Sequence, residues 1–151
     1  LLEREECVLV FPDGVRGSGK TIFHRYELQR FGTGFVRLAL ETKAPIVPVA
    51  VVGCEEVYPS IYDFKPLAKI LGIPYIPFSP LFLFGPLGLL PLPCKVTLRY
   101  GKPILFEGDP DCSEADVERM AEQVKAALKT EIDEGLRLRG EKIFTGSGSE
   151  A

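Results

Sequence analysis

Residues 46–53 have the sequence IVPVAVVG, a short apolar run rich in β-branched side chains. Runs of this length and composition, bounded by turn-forming residues, are typical of a buried strand. Residues 7–11, CVLVF, form a similar run that Pro12 ends. Because Pro48 has no N–H to donate to a sheet ladder, we expect that position to lie at a sheet edge or a bulge.

A glycine-rich loop and a helical pattern separate these two runs. Residues 13–21 contain three glycines and a serine, as expected of a loop. After Thr33, apolar residues recur at helical spacing until the Ala-Pro pair at 44–45. Strand, loop, helix and strand in this order predict a βαβ unit. The expected fold class is therefore α/β, with a mixed, largely parallel sheet and flanking helices.

The last third of the chain predicts one further strand and a long helix. Residues 95–101, KVTLRYG, alternate between polar and apolar types, which indicates a half-buried strand. Ser113 and Asp116 have the spacing of a capping box, and an apolar stripe then continues to about Leu138 before Gly140. We therefore expect a single domain over residues 1–140 and a flexible tail over residues 141–151.

Composition excludes several classes of protein. The chain has 151 residues, of which 46% are hydrophobic and 26% charged, with a net charge of −3. A chain this apolar can bury a core, which excludes a disordered protein. Its negative net charge argues against nucleic acid as a partner. Four widely spaced cysteines and one histidine predict reduced thiols and no metal site. Because the chain begins with Leu1 rather than Met, we expect it to be part of something longer.

Charge is concentrated in one segment. Residues 14–43 carry six Lys or Arg against two acids, a local excess of +4 in an acidic chain. This excess favours a local anionic ligand, such as a phosphate or a lipid headgroup. The alternative is a solvated helix face with long basic side chains.

Residues 70–94 contain no charged side chain. Their six prolines and three glycines exclude a regular membrane-spanning helix. Two interpretations remain open, a loop that contacts acyl chains or the membrane interface, and a cover over the sheet. The residues expected to make the acyl or membrane contact are Phe78, Leu81, Phe82 and Phe84.

The loop at residues 14–21, GVRGSGKT, matches the phosphate-binding pattern GxxxxGK[ST]. In that interpretation Lys20 reaches nucleotide phosphates and Thr21 binds Mg²⁺. Two features oppose it, since Asp13 adds negative charge beside the loop and no apolar strand ending in Asp follows to hold the metal. A nucleotide-binding protein remains an alternative.

A second pattern begins three residues earlier. The block FPDGVRG at residues 11–17 resembles the FPEGxR block of the glycerophospholipid acyltransferase family, which includes lysophosphatidate acyltransferases and a mono- and diacylglycerol acyltransferase-like branch. Residues 34–41 and 44–50 resemble the helix and the V-P-V strand block of that family. With residues 101–104, the resemblance covers about residues 7–104.

The resemblance implies an acceptor- or phosphate-binding site within this block. Its members are Phe11, Pro12, Asp13, Gly14, Val15, Arg16 and Gly17. Arg16 offers a bidentate fork for a phosphate, and Gly14 lets the backbone approach a ligand. Asp13 stands where the family has Glu, and Val15 where Thr is frequent, and both changes bear on acceptor preference. The alternative for Asp13 and Arg16 is a turn-forming Asp and a surface Arg.

The resemblance also implies an HxxxxD motif, whose His deprotonates the acceptor hydroxyl and whose Asp orients that His. The hydroxyl then attacks an acyl thioester on coenzyme A or acyl carrier protein, with no other cofactor. His24 is followed five positions later by Gln29, so we expect the motif upstream of Leu1 and the 151-residue chain alone to be inactive. The implied partners are a lipid substrate and the cytoplasmic side of a membrane, with peripheral attachment or an anchor outside this chain. A non-catalytic lipid-binding module is the rival.

Overall fold

The computed structural model describes residues 2–4, 6–14, 21–63, 72 and 77–140. Regular elements are bounded as follows: α1 Gly34–Thr42, β1 Val49–Val52, α2 Cys54–Val57, β2 Tyr62–Asp63, β3 Pro77–Phe78, β4 Thr97–Tyr100 and α3 Glu114–Arg139. Three segments are 3₁₀-helical: Leu2–Arg4, Ile22–His24 and Pro80–Leu89. The expected tail, 141–151, lies outside the described residues.

The strand pairs among the described residues are all antiparallel. β1 pairs with β4, with Val49 opposite Tyr100 and Val52 opposite Thr97, and β2 pairs with β3. The expectation of a largely parallel sheet is therefore wrong for this part of the chain, although the mixed α/β class is confirmed. The physical reason is that residues 6–11 form no strand, so β1 pairs with a later strand instead of an earlier one.

Pro48 lies where the sequence predicted an interruption of the ladder. An isolated bridge joins Ile46 to Ile104, and β1 begins only at Val49. Pro48 has no N–H to donate, but its carbonyl accepts a hydrogen bond from the Gly101 N–H at 2.8 Å. The ladder thus continues past the proline by using its one available backbone group.

Two predicted helices are confirmed. α1 follows Thr33 and ends at Lys43, which adopts a left-handed φ of 53° just before the Ala-Pro pair. α3 begins after Ser113, whose hydroxyl accepts a hydrogen bond from the Asp116 N–H at 3.2 Å. The apolar faces of the two helices meet in one core cluster, which consists of Val36, Leu40, Val117 and Ala121.

The C-terminal half of α3 lies against the β1–β4 sheet. Gly135 makes the close approach, since a Cβ there would lie 2.8 Å from Val52 Cγ2. Beside it, Arg99 Nε of β4 donates to Glu131 Oε2 of α3 at 3.0 Å. This packing fixes the end of α3 over the point where β1 runs into α2.

Candidate functional site

The block expected to bind the acceptor begins in a tight turn. The Gly14 N–H donates to the Phe11 carbonyl at 3.0 Å, and Gly14 has a φ of +53° that glycine adopts readily. Phe11 is 73% exposed, whereas Pro12 and Asp13 are half-buried. The Gly32 N–H donates to the Pro12 carbonyl at 2.8 Å, which ties the turn to the residues just before α1. The structure thus brings four of the predicted residues together.

The remaining members of that block, Val15, Arg16 and Gly17, lie outside the described residues. The chain is described again from Thr21, where the Ile22 N–H donates to the Ser60 carbonyl at 2.7 Å. Only a three-residue 3₁₀ turn follows, and Thr21 Oγ1 lies 3.1 Å from His24 Nδ1. A phosphate-binding loop opens directly into an α-helix, so this geometry disfavours the nucleotide-binding interpretation.

The basic segment is partly neutralised by α3. Arg30 Nη2 lies 2.9 Å from Glu118 Oε1, and Arg37 Nη2 lies 2.6 Å from Glu114 Oε2. The hydrogen bond from Arg37 lowers the pKa of the Glu114 carboxyl below its ordinary value. These two arginines therefore serve the contact between the basic segment and α3.

The structure contains a buried polar cluster that the sequence did not predict. Arg139, in the last turn of α3, and Glu56 of α2 are only 6% and 7% exposed, and they form an ion pair. Tyr26 joins them, since its hydroxyl donates to Glu56 Oε1 at 3.2 Å and accepts from Arg139 Nη1 at 3.1 Å. It also accepts from the Gly53 N–H at 3.0 Å. We call Glu56, Arg139 and the half-buried Tyr26 the buried triad.

Burial raises the pKa of the Tyr26 hydroxyl above its ordinary value, and the charge of Glu56 raises it further. The phenol therefore stays protonated at neutral pH and keeps donating to Glu56. Burial likewise raises the pKa of the Cys94 thiol, which donates to the Glu56 carbonyl at 3.3 Å. These groups hold fixed protonation states, which suits a positioning role rather than proton transfer.

A cleft opens between residues 22–28 and α3. Its volume is about 510 Å³, and it is lined by Ile22, Phe23, Arg25, Tyr26, Glu27, Leu28, Lys129 and Leu136. Tyr26 thus lines this cleft and also belongs to the buried triad. Arg25 Nε lies 3.9 Å from Glu56 Oε1, so the triad also approaches the rim of the cleft.

The uncharged segment presents apolar side chains at its surface. Phe84 is 69% exposed, whereas Leu81 is half-buried. The side chains of Phe78 and Phe82 lie outside the described residues. Three further leucines, 62–80% exposed, belong to the same surface: Leu83, Leu87 and Leu90. We call these three leucines and Phe84 the apolar segment.

Within the described ranges, no helix is long and apolar enough to cross a bilayer. The same part of the chain contains no group of three or more His, Cys, Asp or Glu side chains placed to hold a metal ion.

Comparison with known proteins bears on the first third of the chain. Residues 1–52 match the model of the Acyltransferase family. The match includes the turn at Phe11–Gly14 and extends to the end of β1. It supports the acyltransferase family and acyl transfer in general, and it identifies neither an acyl donor nor an acceptor.

Relatives among curated proteins come from mycobacteria. The chain is 54% identical over 106 residues to uncharacterized proteins of Mycobacterium tuberculosis and Mycobacterium bovis, which covers 69% of this chain and 30% of each relative. It is 51% identical over 118 residues to an uncharacterized protein of Mycobacterium leprae, with 77% and 32% covered. The chain thus spans about a third of the length of the curated relatives that it matches. No solved structure matches the chain.

Sequence reasoning missed the buried triad because its members are far apart in the chain. Tyr26 and Arg139 are separated by 113 positions. A weak signal exists in the acidic pair at residues 55–56, which lies two positions after the apolar run 46–53. Acidic residues at the end of an apolar strand need a buried cation or donor, and only the fold shows that Arg139 supplies it.

Proposed function

We propose that this chain serves an acyltransferase that moves a fatty acyl group from acyl-CoA or acyl carrier protein to a hydroxyl of a lysophospholipid or glycerolipid. The block at residues 11–17 takes the acceptor side in this proposal. The observation that carries it is the Acyltransferase family match over residues 1–52, which spans that block. The tie between Gly32 and the Pro12 carbonyl adds support, because it anchors the turn on which the acceptor is to bind.

The proposed chemistry divides between two sets of groups. Arg16 binds the acceptor phosphate through its guanidinium fork, and Gly14 lets the backbone approach the ligand. The general base is the His of an HxxxxD motif, a pattern that these 151 residues do not contain. The chain by itself is therefore expected to bind the acceptor without transferring an acyl group. The branch of the family, as 1-acylglycerol-3-phosphate O-acyltransferase, is part of the proposal.

Replacing Arg16 with alanine should weaken binding of glycerol 3-phosphate by about 10–100-fold, because a charge-assisted hydrogen bond contributes about 1.5–3 kcal/mol. Isothermal titration calorimetry of the 151-residue chain measures this. Arg119→Ala is the matched control, since Arg119 lies on an exposed part of α3 and pairs only locally with Asp116. Equal affinity of the Arg16 and Arg119 variants would contradict the assignment, as would a wild-type chain that binds no phosphate ester.

We further propose that the apolar segment contacts the surface of a membrane, either in support of acyl transfer or as a non-catalytic lipid-binding module. Its four side chains are all strongly exposed, and no charged residue lies between Ile70 and Cys94. Apolar side chains held in water at this density are typical of an interaction surface. The location expected is the cytoplasmic side of a membrane.

Replacing Phe84 with glutamate should lower the fraction of chain that floats with anionic vesicles by about tenfold or more, since burying a phenylalanine contributes about 1.5–3 kcal/mol. Leu138→Glu is the matched control, because Leu138 is 60% exposed but lies on α3. The membrane contact is refuted by flotation that Phe84→Glu leaves unchanged, or by flotation that both variants reduce equally.

A further inference from the structure

We propose that the buried triad is a positioning device that holds the loop of residues 21–32 against the turn at Phe11–Gly14, which we call the acceptor turn. By holding the loop there, the triad sets the affinity of the acceptor turn for phosphate esters. The affinity part of this inference rests on the function proposed above. The mechanical part stands on the contacts of the triad alone. Both parts make Tyr26 the central residue.

Tyr26 has a backbone conformation that its surroundings must enforce. Its φ is +62°, in the left-handed region that non-glycine residues seldom adopt. Its N–H donates to Glu55 Oε2 at 2.7 Å, while its hydroxyl makes the three contacts with Gly53, Glu56 and Arg139. Such a conformation persists only where the rest of the structure holds it, and it is often a feature of functional sites.

The segment after Tyr26 is fixed at its far end as well. Phe31 is buried, and its ring contacts that of Phe35 edge-on, with centroids 6.4 Å apart. The next residue, Gly32, donates to the Pro12 carbonyl. Six residues thus connect the buried triad to the acceptor turn, and both ends of this connection are anchored.

The triad also joins two elements that are distant in sequence. Arg139 closes α3, and Glu56 belongs to the single turn of α2 that follows β1. A guanidinium can bridge the Glu56 carboxylate and the Tyr26 hydroxyl at once, which the ammonium of lysine does less well. The position of the loop therefore depends on a planar fork at the end of α3.

The test replaces Tyr26 with phenylalanine, which keeps the ring and removes the hydroxyl that three groups share. Ile132→Val is the matched control, since Ile132 is buried on α3 and the change weakens packing while it leaves the Tyr26 hydroxyl and its hydrogen-bond partners in place. Hydrogen exchange of the 151-residue chain, without ligand, reports on the loop. Titration with glycerol 3-phosphate reports on the acceptor turn.

In Tyr26→Phe, the amides of residues 21–32 should lose about tenfold in protection from hydrogen exchange, while the amides at the centre of α3 change little. The affinity for glycerol 3-phosphate should fall by about 2–10-fold, which is the size expected for the loss of one hydrogen bond. Arg139→Lys should show the same pattern more weakly. Ile132→Val should lower global stability and leave both quantities unchanged.

Loss of protection spread evenly over the chain, or equal in Tyr26→Phe and Ile132→Val, overturns the positioning device. Selective loss at the loop with unchanged affinity overturns its effect on ligand binding. A wild-type chain that binds no phosphate ester would instead remove the proposed function, and the exchange pattern would still decide whether the triad holds the loop.

Discussion

The chain with Glu56 replaced by alanine should lose about 3–5 kcal/mol in free energy of unfolding, because the change leaves a buried guanidinium without its counter-charge. Glu56 and Arg139 are 7% and 6% exposed, so the guanidinium that remains is largely shielded from bulk water. The Tyr26 hydroxyl loses its acceptor in the same change. Urea unfolding followed by circular dichroism measures the difference.

Two comparisons sharpen this result. Glu41→Ala, an exposed substitution within α1, should change the free energy of unfolding by less than about 0.5 kcal/mol. The double variant Glu56→Leu with Arg139→Met should be more stable than Glu56→Ala alone, since it removes both buried charges together. If the double variant is the less stable of the two, the cost does not come from an uncompensated charge.

The local elements were predictable because each is specified by its own residues. The capping box at Ser113 and the left-handed Lys43 before the Ala-Pro pair mark the ends of helices by local backbone chemistry. The interruption at Pro48 follows in the same way from its missing N–H. Such signals depend on a few neighbouring residues, so they do not change with the long-range contacts of the fold.

Strand pairing was not predictable in the same way. Residues 7–11 have the composition of a buried strand, yet Leu9 and Phe11 are mostly exposed and the run forms no ladder. β1 takes its partner from residues 97–100 instead. The composition of a run indicates that it can be buried in a sheet. Which strand it pairs with depends on contacts across the whole chain.

The candidate site divides along the same line. The glycine and proline at Phe11–Gly14 predict a turn from the sequence, and the structure has one there. The family resemblance implies that this turn binds the acceptor. The buried triad has no spacing that sequence reasoning can detect, because three elements must fold before its members meet. Sequence therefore predicts a local turn better than buried contacts between distant elements.

Replacing Gly53 with alanine should destabilise the chain by about 2–6 kcal/mol, from a backbone strain of about 1–3 and a steric overlap of about 1–3. Gly53 has a φ of +107°, and a Cβ there would lie 2.2 Å from the Lys95 carbonyl oxygen. Backbone atoms cannot rotate away as a flexible side chain can. The Gly53 N–H would also shift from the Tyr26 hydroxyl, so the loss should extend to the buried triad.

Gly140→Ala is the control for the conformational part of this effect. Gly140 also has a positive φ, +60°, but a Cβ there meets no atom within 4 Å. It should therefore cost only the conformational strain, and the difference between the two variants measures the close approach of Lys95 to the end of β1. Equal unfolding free energies for the two variants would show that the chain relaxes around residue 53. In that case hydrogen exchange at residues 21–32 should also be unaffected by Gly53→Ala, because the junction that supports Tyr26 would have tolerated the added methyl group.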